Sequence, residues 1–466
     1  MWVLKSTIPT REGITLRVKF SDRPRLGVSA DGAGLVSRAG SRLLAELAER
    51  SGLEREVSRA LVPLVRRRRR HDPGRVLVDL AVTLADGGEC ITDLAQLRQQ
   101  PDLFGQVAST PTAWRLLDSI EEPLLERLAL ARARARARAW GWGMAPKRVT
   151  LDFDSTLVEV ESENKEQAAP NWKHGFGFHP LLVYLDETGE AVAGELRPGN
   201  AGSNTAQDHV ALLDAALRQL PMPTRAEDPE PGPQVLVRSD SAGASHGFVG
   251  AVSERGLEFS VGFDVTEPVR EAILNLPDQS WVGAITKEME EREGAQVAEI
   301  TALLDLSSWP TGSRVLVRRE EPHPGASYNL FDPNGLRHQA LITNSKDPDL
   351  AYLEARHRLH ARVEDRIKEA KECGLSNFPC SSFRANRVWL LLVQMAQDLL
   401  AWARRLCFKG EFREAAPKRL RHQLLHVAGR LVCSGRRRTL RLDARWPWAV
   451  ELATAFLRLR ALPLTT

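Results

Sequence analysis

The stretch LDFDSTL, Leu151–Leu157, decides the fold because it ends an apolar run on two carboxylates. Within KRVTLDFDSTLVEV the β-branched and aromatic residues favour a strand. Side chains alternate along a strand, so Asp152 and Asp154 share one face. Two carboxylates at the end of a buried run are costly unless they are paired or bind a metal. A turn in which the aspartates bond their own backbone is the plain alternative.

Working outward, GFGFHPLLVYLD and EAVAGELRP read as a second and a third strand, and SNTAQDHVALLDAALRQL as a helix with Ser203 or Asn204 as its cap. Asn200, Ser203 and Asn204 in PGNAGSNT are expected to shape a turn and open that helix. After the Pro- and acid-rich PMPTRAEDPEPGP come a fourth strand, QVLVRSD, a helix, HGFVGAVSERG, and a fifth strand, LEFSVGF. Three strands, helix, strand, helix, strand is the order of a ribonuclease H-like sheet. There the first and fourth strands lie side by side, which brings Asp154 to Asp240. A long helix over residues 349–373 contains ARVEDRIKEAK and carries Glu364 across that sheet. Three carboxylates would then surround two magnesium ions, which activate an attacking oxygen and stabilise a leaving one at phosphorus.

The remaining chain bounds what such a site serves. At 466 residues it exceeds one core, and 43% hydrophobic with 27% charged residues is a folded composition. The first 148 residues read as a helical bundle: AGSRLLAELAERSGL, LEREVSRALVPLV and GRVLVDLAVTLADG show three- and four-residue apolar spacing, and STPTAWRLLDSI has a Ser109 or Thr110 cap with Pro111 in its first turn. Residues 149–264 and 351–403 form the two parts of an α/β catalytic core, 265–350 a β-rich insertion and 404–466 a basic C-terminal region. The net charge of +4 hides about nine excess positive charges before residue 149, about sixteen negative over 149–403 and about ten positive over 404–445. Basic ends around an acidic centre suit a protein that holds a polyanion while concentrating magnesium ligands. Five cysteines without a CxxC pair indicate neither a disulfide framework nor a zinc knuckle, and with no long apolar run the expectation is a cytoplasmic protein without membrane contact.

Several features admit two readings. The arginine tracts, Arg66–Arg70 and ARARARARAW over 131–140, are either solvated faces or phosphate contacts, the second one helical by propensity. His174, His179 and His209 lie in three elements without ligand spacing and are read as structural or phosphate-near. DFDST also matches the DxDxT signature of haloacid-dehalogenase-like phosphatases. That family needs a second acidic pair on a later strand, and Ala244 stands four residues after Asp240 where it would fall.

Taken together the chain resembles a DDE transposase of a bacterial insertion sequence, in the insertion-sequence 4-like superfamily and nearest its 1380-type family. The carrying blocks are LDFDSTL, GFGFHPLLVYLD, LRPGNAGSNTAQDH, VRSDSAGASH and ARVEDRIKEAK, with VLVRREEPHPG and GLSNFP beside them. The resemblance implies Asp154, Asp240 and Glu364 as catalytic metal ligands for two Mg2+ ions, with Mn2+ able to substitute. Its partner would be double-stranded DNA, both the element's terminal inverted repeats and a target, cut and pasted by a homodimer assembled on DNA in the bacterial nucleoid. The superfamily's helix signature is Tyr, two residues, Arg, three residues, Glu, six residues, Lys. Lys371 fills the lysine position as a phosphate contact, while His357 and His360 replace the tyrosine and arginine, with Arg362 among the arginines able to substitute. In related enzymes with the insertion, DNA ends pass through a hairpin and an aromatic holds a flipped base. Trp281 and Trp309 are candidates by location, or core residues, and Arg318 and Arg319 phosphate contacts, or solvated. A catalytically silent DNA-binding regulator is the alternative from another class.

Overall fold

Nine strands form one mixed sheet in this computed structural model, and its centre is built from the runs singled out above. They are β1 (Val149–Ser155), β2 (Leu181–Leu185), β3 (Ala191–Glu195), β4 (Val235–Ser239), β5 (Glu258–Phe263), β6 (Val282–Ile285), β7 (Glu291–Glu299), β8 (Arg314–Glu320) and β9 (Arg337–Thr343). The order across the sheet is β6-β7-β8-β9-β5-β4-β1-β2-β3. Only the central β5-β4-β1 pairings are parallel. Residues 149–153 are buried on both faces of β1, as parallel strands covered on both sides require. The four strands within residues 265–350 extend this same sheet, because β9 runs antiparallel beside β5. The structure describes residues 26–65, 70–221, 234–321, 335–435 and 437–463, with the backbone strands Ile8–Pro9 and Thr15–Leu16. The arginine run at 66–69, the Pro- and acid-rich loop at 222–233 and the PHPG of VLVRREEPHPG lie outside the described residues.

The helical N-terminal region contributes α1 (Ser41–Arg50), α2 (Leu53–Ala60), α3 (Pro73–Ala85) and α4 (Glu122–Ala139). Asp72 starts α3 by accepting the Arg75 N–H at 2.8 Å, with Pro73 at the first position. All of α3 except Arg75 is buried, much of it against a second central helix further along the chain. In α3, Gly74 is fixed by packing: a Cβ there would lie 2.3 Å from the Ser58 backbone nitrogen, where α3 crosses α2. Gly74→Ala is expected to destabilise the fold by about 1–3 kcal/mol through overpacking, read as a lowered denaturation midpoint.

After the sheet's first half come α5 (Ala206–Gln219) and α6 (His246–Glu254). The position before α5 is Thr205, without a side-chain cap, so neither Ser203 nor Asn204 caps it as expected. The helix expected over 349–373 breaks into α7 (Leu350–Arg358) and α8 (Arg362–Ala370), separated by a 3-10 turn at Leu359–Ala361. Gly374, at φ 96°, ends the segment, and its carbonyl accepts the Trp389 indole N–H at 2.9 Å. The helix α9 (Phe383–Trp402), capped by Ser382, is the partner of α3.

The alternating arginines sit in α4, which is helical as expected, but the tract is neither a solvated face nor a phosphate surface. Residues four apart share one helical face. Arg132 and Arg136 accordingly point together into the interior, 1% and 0% exposed. Arg136 bonds Glu190 at 3.0 Å and Asp398 of α9 at 2.9 Å, and Arg132 meets Asp398 at 2.9 Å. The indoles of Trp140 and Trp402 donate to Glu190 at 3.0 and 2.7 Å. Arg134 and Arg138, on the neighbouring face, pair with the buried Glu56 of α2. Alternation thus distributes the charges between two interior partners. One apolar core continues from these helices through the sheet.

The basic C-terminal region returns to the start of the described chain. Gly429–Ser434 pairs with both Leu35–Val36 and Arg437–Leu442, and α10 (Ala449–Ala461) packs on α1. No helix is long and apolar enough to cross a membrane among the described residues.

Candidate active site

The last paired positions of β1 and β4 are Phe153 and Ser239, so the next residues, Asp154 and Asp240, stand at neighbouring strand ends. Asp154 Oδ1 accepts its neighbour's N–H from Ser155 at 2.7 Å. Asp240 opens a 3-10 turn and accepts the Ala242 N–H at 3.1 Å. Both aspartates line a cleft of ≈ 870 Å³ together with Lys371, His179, Ser203, Asn204 and Trp172. Glu364, in the first turn of α8, is exposed and acts on Asp154 through its charge. Burial, the Asp240 carboxylate and, more weakly, Glu364 push the Asp154 carboxyl up to about 6, against the opposing effects of His360 and the Ser155 N–H.

The two aspartates of LDFDSTL have different roles. Asp152 is 1% exposed and accepts two 2.7 Å bonds from the Arg238 guanidinium of β4 and a 3.0 Å bond from His360. Burial alone would raise its carboxyl, yet Arg238 and His360 hold it below the ordinary range. A carboxylate so committed has no free lone pair directed at a substrate, which removes the nucleophile that the phosphatase reading requires. Arg238 further binds Asp186 at 3.0 Å and the Arg356 carbonyl at 2.5 Å, tying β1, β4 and α7 together beneath the cleft.

The rest of the cleft is held from behind. His179 Nδ1 lies 3.0 Å from the Ala201 carbonyl and Nε2 2.9 Å from Ser155 Oγ. Burial lowers its pKa, so the neutral ring donates from Nδ1 and accepts the Ser155 hydroxyl at Nε2. Arg197 donates to the His179 and Gly202 carbonyls at 3.0 Å each, fixing the loop that brings Ser203 and Asn204 to the rim. His209 packs on Phe153 and Phe248 and bonds its own helix at Thr205, so the three histidines of this region form no shared site.

Of the expected DNA-contacting residues, Lys371 lines the cleft. Arg362 is half exposed beside Asp186 at 3.3 Å. The others have partners inside the protein. Arg318 is 6% exposed between Glu354 and Glu320, so its charge is already matched where a phosphate contact was expected. Arg319 lies over the Trp281 ring at 4.2 Å and bonds Gln296, and Trp281 is 8% exposed and packs in the core. Trp309 packs on His246 and Phe263. His357 bonds Ser260 Oγ at 3.0 Å, and burial followed by the His360 and Arg238 charges pushes its pKa down to about 3. His360 serves Asp152. The two histidines in the tyrosine and arginine positions therefore brace the sheet.

Sequence reasoning missed Trp172. It is 71% exposed on the cleft, with the Lys173 ammonium 4.8 Å from its ring. The Asn171 side chain accepts the N–H groups of Lys173 and Gly175 at 2.9 and 3.0 Å and fixes the turn that presents it. The dense turn residues of NWKHGFG were the available signal.

The donor set is all oxygen, like-charged and beside a polar cleft, which suits a hard divalent cation. Asp154 and Asp240 standing at neighbouring strand ends on one cleft is the structural observation for that fit. Among the described residues no three His, Cys, Asp or Glu side chains are grouped to hold a metal ion, and Glu364 does not line the cleft with Asp154 and Asp240. The five cysteines are free.

Fold and cleft define a mixed α/β protein whose strand ends gather carboxylates. The family model described as "Transposase DDE domain group 1" matches residues 18–464, and the chain belongs to that family: it is a transposase. Among solved structures it is similar to a cryo-EM structure of the piggyBac transposase synaptic complex with hairpin DNA, at 9% identity and a TM-score of 0.42, covering 84% of this chain and 80% of that one. No curated protein matches it in sequence.

Proposed function

We propose that this transposase cleaves the ends of its own element and joins them to target DNA by cut-and-paste, using Asp154, Asp240 and Glu364 on a ribonuclease H-like core. The observation that carries the proposal is the meeting of Asp154 and Asp240 at adjacent strand ends, with Glu364 raising the Asp154 pKa from α8. Magnesium held by these carboxylates, as two ions and replaceable by manganese, would supply activation of the attacking oxygen and neutralisation of the leaving one. The protein's own groups do the positioning. Ser155 and the neutral His179 fix the Asp154 carboxylate, Arg238 and His360 keep Asp152 ionised behind it, and Lys371 holds a phosphate at the cleft wall. Assignment to the insertion-sequence 4-like superfamily and its 1380-type family rests on the sequence blocks and belongs to the same proposal, as do hairpin ends and a homodimer on DNA.

The test is cleavage of a duplex carrying the element's ends, in magnesium, by the parent and by Glu364→Gln. The variant is expected to bind the duplex as the parent does and to lose cleavage by about 10³-fold or more, since a metal-assisted step is worth several kcal/mol. Equal cleavage by both would remove Glu364 from the site. Binding without cleavage by the parent would favour a silent DNA-binding regulator. Denaturing gels of the same products report hairpins directly.

A further inference from the structure

We infer that the outer face of the C-terminal β-ribbon, carrying Arg430, Arg437 and Arg441, is a contact surface for duplex DNA apart from the carboxylate cleft. This deepens the proposed action on DNA and rests on it. The ribbon is the antiparallel pair Gly429–Ser434 and Arg437–Leu442. Its register places Leu431 opposite Leu440 and Gly429 opposite Leu442, and Leu440 and Leu442 pack against the protein core. Alternation then sends the other pairs outward: Arg430 with Arg441, Val432 with Thr439, and Ser434 with Arg437. The three arginines, Ser434 and Thr439 are all exposed.

Two features of this face call for a polyanion. Arg430 and Arg441 stand directly opposite one another, an arrangement that destabilises a ladder unless something neutralises it. Among the described residues no carboxylate lies within ion-pair distance of Arg430, Arg437 or Arg441, and none has an unstated partner. Elsewhere in the chain Arg136, Arg404 and Arg460 are each matched to a carboxylate. A two-stranded ribbon has the dimensions of the DNA major groove, with guanidinium and hydroxyl donors suited to phosphate oxygens. None of these residues lines the cleft. The ribbon therefore grips DNA beyond the segment being cut.

The experiment compares the full-length parent with the triple variant R430A/R437A/R441A, binding a duplex of arbitrary sequence over about 50 to 200 mM salt. Loss of three phosphate contacts is expected to reduce the slope of log affinity against log salt by about 3, with weaker binding. An unchanged slope in a variant whose parent binds and cleaves overturns the ribbon inference and leaves the transposase reading standing. A parent that neither binds nor cleaves overturns both. A loss confined to an RNA competitor overturns the assignment to DNA. Should the triple variant misfold, a fluorophore on Ser434→Cys, which lies on the proposed face opposite Arg437, in a Cys90→Ser/Cys433→Ser chain, gives the second readout. Its emission is expected to change on adding duplex, and no change at saturation overturns the proposal.

Discussion

Asp154→Asn is expected to abolish strand cleavage, by about 10³-fold or more, and at the same time to raise the thermal midpoint of the metal-free protein. The two effects have one origin. The folded Asp154 carboxyl has its pKa raised from 3.8 to about 6 by burial and by Asp240 and Glu364. Between those two values the unfolded chain holds fewer protons than the native one at this site. Stability therefore falls as pH rises from about 4 to about 6, and above that the ionised group costs on the order of 3 kcal/mol. Asparagine keeps the oxygen that accepts the Ser155 N–H but does not ionise. The stabilisation by Asp154→Asn should vanish below about pH 4 and be complete above about pH 6. Magnesium should raise the parent's midpoint and leave the variant's nearly unchanged, since a ligand stabilises only the form that binds it. Scanning calorimetry across pH, with and without magnesium, checks every part. A variant no more stable than the parent at neutral pH would show that the carboxylates do not strain one another.

Arg136→Met is expected to destabilise the fold by about 3–5 kcal/mol, the largest loss predicted for any arginine here. The guanidinium is fully buried and joins Glu190, Asp398, the Gln219 side chain and the Ala191 carbonyl. Methionine fills similar space but leaves those acceptors in the interior without their cation. Arg136→Lys should recover only part of the loss, because one ammonium cannot reach the same spread of partners as the planar fork. The double variant Arg136→Met with Asp398→Leu should be less impaired than the two single changes summed, since it removes an attraction together with its desolvation cost. Denaturant unfolding of the four proteins measures this coupling. Additive losses would mean that the cluster is not a unit.

The central strands of the sheet were legible because their apolar runs end in turn and cap residues that fix where each stops. Asp240 beside Asp154 was legible too, given a strand order in which the first and fourth strands pair. The break at Leu359–Ala361 was not, because the helical pattern of residues 349–373 continues through it without proline or glycine. Ser203 and Asn204 looked like caps by type, but Arg197 draws their loop to the cleft rim and Thr205 takes the position before the helix. Arg318, read from its place in the insertion as a phosphate contact or a solvated residue, meets Glu354 across 36 residues of sequence.

By itself the sequence determined which residues alternate, which recur at helical spacing and which carboxylates end strands, because these follow from backbone periods and local side-chain chemistry. Only the tertiary structure decided what each charged group faces. It matched the α4 arginines to Asp398, Glu190 and Glu56, committed Asp152 to Arg238, and left Asp154 with like charges and the C-terminal ribbon with none opposed. The reason is physical. Periodicity fixes the direction of a side chain relative to its own element, whereas the free energy of a buried charge is set by neighbours distant in the chain.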